Sequence, residues 1–216
     1  GAVWYQGESN TGEADRYEEL LTGLIADWRR RFGVGLPFLI VQLANYGQPP
    51  TVPVESGWAR LREAQRRVAS HDPRVGLAVT IDIGDRYDIH PPNKQEVGRR
   101  LARVARRVVY EEPIAPSGPV PQQVYLEEDQ VIVVFGDVEG ELTAVGAEYP
   151  IGFELCSLEP GSCRYAEARI DGVRVRLRSS DLSRPERVRF CWADGPVCTL
   201  YDGAGLPAGP FELGIE

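Results

Sequence analysis

The strongest indication of fold class is the apolar run Phe38-Leu39-Ile40-Val41-Gln42-Leu43, which has the length of a strand and apolar residues on both faces. Such a run is typical of a strand buried inside a parallel sheet. Apolar runs at residues 2–5 and 76–81 flank it along the chain, and amphipathic helical patterns at 14–32 and 58–69 separate the three. This alternation predicts an α/β architecture with crossover helices.

Helical spacing also predicts which residues face the core. A third helix is expected after Pro91-Pro92. The first helix should bury Tyr17, Leu20, Leu21, Leu24, Ile25, Trp28 and Phe32, and the third Val97, Leu101, Val104, Val108 and Val109. The third helix also carries Arg99, Arg100, Arg103, Arg106 and Arg107, which we expect on a solvated face rather than on an anion-binding one.

The pattern changes in a Pro- and Gly-rich linker at residues 112–119. Six or more short strands without helices follow it, which is typical of an antiparallel sandwich or jelly roll. We therefore predict two domains, an α/β domain at 1–116 and a β-rich domain at 119–216. Three strand–helix units are few for a three-layer domain, and the chain contains no Met, so we expect further strands upstream.

Composition limits the classes of partner. The chain has 216 residues and a formal net charge of −8, which argues against non-specific binding to nucleic acid or to an anionic membrane. The longest apolar stretch, 36–44, is far shorter than the roughly 20 residues of a spanning helix.

The four cysteines lie in the second half of the chain, as Cys156 with Cys163 and Cys191 with Cys198, each pair around a turn sequence. This spacing fits two disulfides across short hairpins. Four reduced thiols remain an equal alternative, and a zinc site is disfavoured because close Cys-x-x-Cys pairs are missing. Oxidised pairs would indicate a periplasmic or secreted protein.

Two segments carry residue types that hydrolases use. Asp88-Ile89-His90-Pro91 follows the third strand, and histidine is the side-chain type that exchanges a proton near neutral pH. Trp4-Tyr5-Gln6-Gly7-Glu8-Ser9-Asn10 follows the first strand. Because parallel strands end at one edge of a sheet, we expect the two segments to line a shared cleft.

These segments resemble a known family. Residues 1–10 (Gly-Ala-Val-Trp-Tyr-Gln-Gly-Glu-Ser-Asn), 88–102, 191–194 and 205–211 are similar, in order, to motifs of the sialate O-acetylesterases, which are SGNH-type carbohydrate esterases. The resemblance implies the C-terminal part of an SGNH-like (flavodoxin-like) three-layer domain, followed by a β-rich module. It also implies a serine esterase that removes acetyl groups from sugars.

The resemblance assigns roles to matching positions. His90 would activate the serine and then protonate the leaving sugar oxygen. Asp88 would orient His90, although Glu8 is a second candidate and Asp88 could instead cap a helix. The Gly7 backbone N–H and the Asn10 amide would face the developing negative charge.

Contacts to an O-acetylated sugar are expected from Gln6, which follows the first strand, and from Tyr46 and Trp58 near the second. Trp192 and Tyr201 could form a sugar platform, but core packing is the favoured role for Trp192.

The family's nucleophile block, Gly-x-Ser-Asn-like, has no match in the chain. Ser9 lacks the nucleophile-elbow pattern, and we interpret Ser9 and Ser56 as helix caps. We therefore expect an inactive fragment whose partner is the missing N-terminal segment of the same protein.

No cofactor or metal is expected. Asp82, Asp85 and Asp88 are spaced like calcium ligands, but the twelve-residue loop with its closing Glu is absent. Two alternatives stay open: an acetyl xylan esterase, and a carbohydrate-binding protein that uses an esterase-derived fold without chemistry.

Overall fold

The structure, a computed structural model, describes residues 1–216. The first half of the chain contains a parallel sheet of three strands. Strands β1 (Ala2–Trp4), β2 (Phe38–Val41) and β3 (Val75–Ala78) lie in the order β1-β2-β3. Their register places Ile40 opposite both Trp4 and Leu77. Every residue of β2 is buried, as expected for a central strand that is covered on both faces.

Helices cover both faces of this sheet, which gives three layers. A 3-10 helix (Glu8–Arg16) leads into α1 (Tyr17–Phe32), and α2 (Gly57–His71) and α3 (Lys94–Val108) follow. Residues of α1 and α2 share one buried cluster with the sheet, and α3 packs on the other face. None of the three α-helices combines the length and the apolar composition that a membrane crossing requires.

Side-chain caps fix the starts of α2 and α3. The Ser56 hydroxyl accepts a hydrogen bond from the Ala59 N–H at 2.9 Å, which confirms the predicted cap. The Asn93 side chain accepts from the Glu96 N–H at 3.3 Å and caps α3.

Two other cap predictions are wrong. Asp88 lies outside α3, and its carboxylate accepts the His90 N–H instead. Ser9 lies within the 3-10 helix, whose N-terminal flanking residue is Gly7.

The buried faces of α1 and α3 are narrower than the sequence pattern predicted. Helix α1 starts at Tyr17 rather than near residue 14, and its buried residues are Tyr17, Leu21 and Ile25. Leu20, Trp28 and Phe32 are 46%, 37% and 68% exposed, and Val109 beyond α3 is also exposed. One stripe at four-residue spacing suffices where α1 packs against α2 and the sheet.

The prediction that Arg100 lies on a solvated face is wrong. Arg100 is buried rather than solvated, because its guanidinium donates to both carboxylate oxygens of Asp82, at 2.6 and 2.8 Å, and to the Val79 carbonyl oxygen. This ion pair anchors α3 to the segment after β3.

The second half of the chain is an antiparallel sandwich. In chain order its strands are β4 (Val120–Glu127), β5 (Gln130–Gly136), β6 (Thr143–Ala144), β7 (Phe153–Cys156), β8 (Arg164–Tyr165), β9 (Glu167–Asp171), β10 (Arg174–Arg178), β11 (Arg187–Phe190), β12 (Leu200–Tyr201) and β13 (Phe211–Gly214). They form sheets β4-β5-β10-β9 and β13-β11-β7-β8 and a small β6-β12 ribbon. One cluster of 16 buried residues fills the space between the two larger sheets.

The predicted fold class, α/β followed by an antiparallel β-rich part, is confirmed. We propose that the domain boundary lies in the connection between α3 and β4, at residues 116–119. The disulfides Cys156–Cys163 and Cys191–Cys198 are both formed.

A buried arginine joins the α/β part to the β part. Arg62 of α2 is fully buried and has no carboxylate partner. Its guanidinium donates to the carbonyl oxygens of Leu43 (2.8 Å) and Ala44 (2.6 Å) after β2, and of Ala193 (2.7 Å) and Asp194 (2.8 Å) after β11. One side chain therefore ties three segments of the chain together.

Glu154 of β7 is buried beside a charged cluster. Strand register places Glu154 opposite Arg189, but Arg189 donates to Glu212 (2.5 Å) and Glu55 (2.8 Å) instead. The Glu154 carboxyl therefore has no hydrogen-bond partner and is 2% exposed. Burial raises the pKa of Glu154 to about 8, and the negative charges of Glu55 and Glu212 add to the effect of burial against the pull of Arg189.

Replacing Glu154 by glutamine is expected to stabilise the protein at neutral and higher pH. The unfolded carboxyl ionises above its ordinary pKa of 4.5, whereas the folded one stays protonated until about pH 8, so stability falls as pH rises through this window. The advantage of Glu154→Gln should grow from near zero at pH 4 to on the order of 3 kcal/mol at pH 8. Urea unfolding at a series of pH values measures it.

The matched control is Glu212→Gln, which removes a carboxylate that accepts from Arg189. This variant should lose stability at neutral pH. A Glu154→Gln advantage that does not change between pH 4 and pH 8 would contradict the assignment.

Candidate functional site

The candidate site lies at the edge of the sheet where β1, β2 and β3 end. Each strand continues into a connection at this edge, which is where ligands of α/β sheets bind. The connections are residues 5–10 after β1, 42–56 after β2 and 79–93 after β3. The His90 side chain lies in the third connection and is 89% exposed.

Lys94 brings the third connection against the first. Its ammonium nitrogen lies 4.9 Å from the centroid of the Tyr5 ring, within the range of a cation–π contact. Lys94 is the first residue of α3 and follows His90 by four positions. The His90 loop and the turn after β1 are therefore neighbours at this edge.

The connection after β2 is bound to the His90 loop as well. The Gly47 N–H donates to the Arg86 carbonyl oxygen at 3.2 Å, and the Gly84 N–H donates to the Asn45 side chain at 2.8 Å. These bonds join the connection after β2 to the His90 loop.

Asp88 lies close to His90 in two ways. One carboxylate oxygen accepts the His90 backbone N–H at 2.8 Å, and the same oxygen lies 3.6 Å from the imidazole Nδ1. The backbone bond fixes the position of His90, and a small rotation of the exposed imidazole would bring Nδ1 into hydrogen-bond distance of Asp88.

Glu8, the other candidate for orienting His90, has no hydrogen-bond or ion-pair partner. Its position is indicated by the Tyr5 phenol, whose pKa is raised first by burial and then by the negative charge of Glu8. The Glu8 carboxylate thus lies near Tyr5 and makes no contact with His90. In this structure Asp88 is better placed than Glu8 to orient the imidazole.

Gln6 positions Asn10 within the turn after β1. The Gln6 amide donates to the Asn10 side-chain oxygen at 2.7 Å, and the Tyr17 hydroxyl lies 3.0 Å from the Gln6 side-chain oxygen. Both ends of the Gln6 amide are thus hydrogen-bonded, one within the turn and one to α1. The Asn10 side-chain N–H groups have no partner in the chain and are available to a ligand.

Gly7 permits close packing between this turn and α2. Its φ of 150° lies in the region that favours glycine, and a Cβ atom there would be 2.7 Å from Cδ2 of Leu61. Any side chain at residue 7 would therefore force either the buried Leu61 side chain or the turn to shift.

Gly7→Ala is therefore expected to lower the free energy of unfolding by about 1–3 kcal/mol. Thermal unfolding followed by circular dichroism measures the change. Gly12→Ala is the matched control, because Gly12 lies in the adjoining 3-10 helix with open space around its Cβ position. Equal stabilities of the two variants would contradict the packing argument.

Tyr46 and Trp58 are brought together near the same edge. Their ring centroids are 5.4 Å apart, and the Arg62 guanidinium lies 5.6 Å from the Trp58 ring. Both rings are half-buried, so each keeps part of its surface open. Their contact with a sugar stays a prediction.

The remaining acidic residues of the His90 loop have structural partners. Asp82 binds Arg100, and Asp85 accepts the backbone N–H groups of Tyr87 (2.8 Å) and Asp88 (3.3 Å). Asp82 therefore forms an ion pair, and the carboxylates of Asp85 and Asp88 each stabilise a turn of the loop.

No hydroxyl or thiol of the chain is hydrogen-bonded to the His90 imidazole. Ser9 is exposed on the 3-10 helix and has no side-chain hydrogen bond. The site has a candidate base and candidate anion-stabilising groups without a hydroxyl held next to that base.

Sequence reasoning missed Lys94 and Arg62. Lys94 gave no signal, because a lysine in the first turn of a helix usually points into solvent. Arg62 gave none either, because arginines on amphipathic helices are mostly exposed and no acid stands three or four positions away on the same helix face.

Comparisons with known proteins identify a family for the chain. Residues 1–107 match the family described as carbohydrate esterase, sialic acid-specific acetylesterase. The sialate O-acetylesterases of Rattus norvegicus and Mus musculus are 29% and 30% identical to the chain over its whole length. The chain spans 44% of each of these two relatives.

A solved crystal structure extends the comparison to both halves of the fold. XAC1771, a carbohydrate acetylesterase from Xanthomonas citri, is 36% identical, with a TM-score of 0.89 over 99% of this chain and 50% of its own. Residues 1–107 match the family, and the likeness to XAC1771 covers 99% of the chain. The chain therefore belongs to the sialic acid-specific acetylesterase family of carbohydrate esterases.

Proposed function

We propose that the chain is the part of a carbohydrate O-acetylesterase that supplies the general base and the oxyanion-stabilising groups. The observation that carries this proposal is the placement of an exposed His90, 3.6 Å from Asp88, beside the turn that ends at Asn10. Family membership supplies the reaction class, acetyl ester hydrolysis on a sugar.

In the proposed mechanism a serine from polypeptide outside residues 1–216 attacks the acetyl carbonyl carbon. His90 accepts the serine proton as the new C–O bond forms, and the negative charge moves to the carbonyl oxygen. The Asn10 side-chain N–H and the Gly7 backbone N–H stabilise this oxyanion. The ester bond to the sugar then breaks, and His90 returns the proton to the sugar oxygen.

Water completes the cycle. His90 takes a proton from a water molecule, whose oxygen attacks the acetyl-serine, and acetate leaves as the serine oxygen is reprotonated. Asp88 is proposed to hold the imidazole in the required tautomer, with Glu8 as the second candidate. Gln6 acts indirectly by holding Asn10, and Tyr46 and Trp58 contact the sugar.

The substrate we favour is an O-acetylated sialic acid, as the names of the rat and mouse relatives suggest. Acetylated xylan is the runner-up. The two disulfides are typical of an oxidising compartment, so we place the protein outside the cytoplasm, in the periplasm or secreted.

The test compares the 216-residue chain with the full-length protein expressed from the reading frame that contains it. Acetate release is measured from O-acetylated sialic acid, acetylated xylan and an aryl acetate. The full-length protein should release acetate and the chain alone should not, because a site without its nucleophile keeps only binding and oxyanion contributions.

Ser9 and the binding-only alternative are tested in the same assay. Activity of the chain alone that disappears in Ser9→Ala would make Ser9 the nucleophile and overturn the proposed external serine. A full-length protein that binds acetylated sugars without releasing acetate would instead support the carbohydrate-binding alternative.

A further inference from the structure

The β part contains a pocket next to the connection that follows β2. Its volume is about 370 Å³, within the usual range of small-molecule sites. Pro50 of that connection forms one wall, and Tyr165, Trp192 and Val197 of the β part form others. The Tyr165 hydroxyl lies 3.4 Å from the Pro50 carbonyl oxygen, so the pocket adjoins the loop that carries Tyr46.

Two buried polar groups among the lining residues have no partner. The Glu154 carboxyl and the Trp192 indole N–H belong to side chains that are 2% and 3% exposed, and neither makes a hydrogen bond. Native proteins satisfy most such groups, and each exception indicates water, strain or a ligand. Glu154 also pairs with Tyr165 across β7 and β8, which places both side chains on one face of the sheet.

The lining defines the chemistry of a ligand. It contains no lysine or arginine, and Glu154 is its only charged residue type. The nearest cation, Arg189, stacks on the Trp192 ring at 4.7 Å but is buried and already paired with Glu55 and Glu212, so an anionic group would find no unpaired cation there. Because burial raises the pKa of Glu154 to about 8, its carboxyl is protonated at neutral pH and can both donate and accept a hydrogen bond. Most of the other lining residues are apolar or aromatic and suit the C–H faces of a sugar ring.

We propose that this pocket binds a neutral sugar residue, with Glu154 and the Trp192 N–H hydrogen-bonded to its hydroxyl groups. The choice of a sugar rests on the proposed function. The pocket would hold an unacetylated residue of the same glycan whose acetyl group reaches His90, and so favour substrates longer than one sugar.

Binding to the chain is measured by titration calorimetry with the neutral sugars xylotetraose, cellotetraose and lactose at millimolar concentration. At least one neutral oligosaccharide should bind. Trp192→Phe, which keeps an aromatic ring but removes the N–H, should weaken binding about 5-fold, the equivalent of one hydrogen bond. Tyr165→Ala should weaken it as well, and because Tyr165 is 44% exposed this variant is expected to fold.

Glu154→Gln provides a second test, because a glutamine amide, like a protonated carboxyl, both donates and accepts hydrogen bonds. Binding by this variant should match the unaltered chain at pH 7 and should not weaken above pH 8, where the unaltered chain loses affinity. Tyr110→Ala is the control, because Tyr110 is an exposed tyrosine away from the pocket.

The proposal is overturned if no neutral oligosaccharide binds, or if Trp192→Phe and Tyr165→Ala bind like Tyr110→Ala. The outcome is separable from the esterase proposal, since His90→Ala should leave this binding unchanged. Acetate release without neutral sugar binding would refute only the proposal of a sugar-binding pocket. Sugar binding without acetate release would refute only the proposed esterase mechanism.

Discussion

Replacing His90 by alanine in the full-length protein is expected to lower kcat for acetate release by about 10³- to 10⁴-fold, at the upper end of what a general base contributes. His90 is proposed to move the proton in both halves of the reaction, so both acylation and deacylation should slow. Its side chain is 89% exposed, so the free energy of unfolding should change by less than about 0.5 kcal/mol.

His71→Ala is the matched control for this experiment. His71 is the other histidine of the chain and is exposed. It is the last residue of α2 and lies near the edge of the sheet where β3 begins, opposite the edge that holds the candidate site. This variant should keep the activity of the unaltered protein. An activity loss smaller than tenfold in His90→Ala, or equal losses in both variants, would contradict the role of His90.

Replacing Arg62 by methionine is expected to lower the free energy of unfolding by about 3–5 kcal/mol, because each buried acceptor left without a donor costs about 1–3 kcal/mol and part of this cost is relieved by relaxation. Methionine would occupy a similar space, but four buried carbonyl oxygens would lose their donor. For a chain of this size such a loss corresponds to a fall in Tm of roughly 10 °C.

Arg62→Lys should recover little of this stability, because one ammonium group cannot reach four carbonyl oxygens that accept from three different guanidinium nitrogens. Arg60→Met is the control on the same helix, since Arg60 is largely exposed and pairs with Asp15 and Glu55 at the surface. It should cost less than about 1 kcal/mol. Urea unfolding that shows equal losses in Arg62→Met and Arg60→Met would contradict the joining role of Arg62.

The sequence was informative where a periodic pattern decides local structure. The fully apolar run of β2 required cover on both faces, and the alternating runs after residue 119 required a sandwich, because strand side chains alternate between faces. The same patterns overestimated burial on α1. Leu20 and Phe32 fit the helical spacing but are 46% and 68% exposed, because periodicity does not tell how wide a stripe of the helix is covered.

The candidate site was only partly predictable. The edge that holds His90 and Asn10 follows from the rule that parallel strands end together. Asp88 lies close to His90 because it precedes it by two residues, and its orienting role stays a prediction. The 3-10 helix, the Lys94–Tyr5 contact and the orphan carboxyl of Glu154 were not predictable, because each depends on how distant segments pack. No periodicity in the sequence encodes such contacts.

The most direct measurement is a crystal structure of the full-length protein after reaction with a phosphonate ester that mimics the acetyl transition state. The phosphonyl group should be attached to a serine outside residues 1–216. His90 and the Asn10 amide should both lie within about 3.2 Å of the adduct's oxygen atoms. An adduct on Ser9, or one remote from either His90 or Asn10, would contradict the shared site.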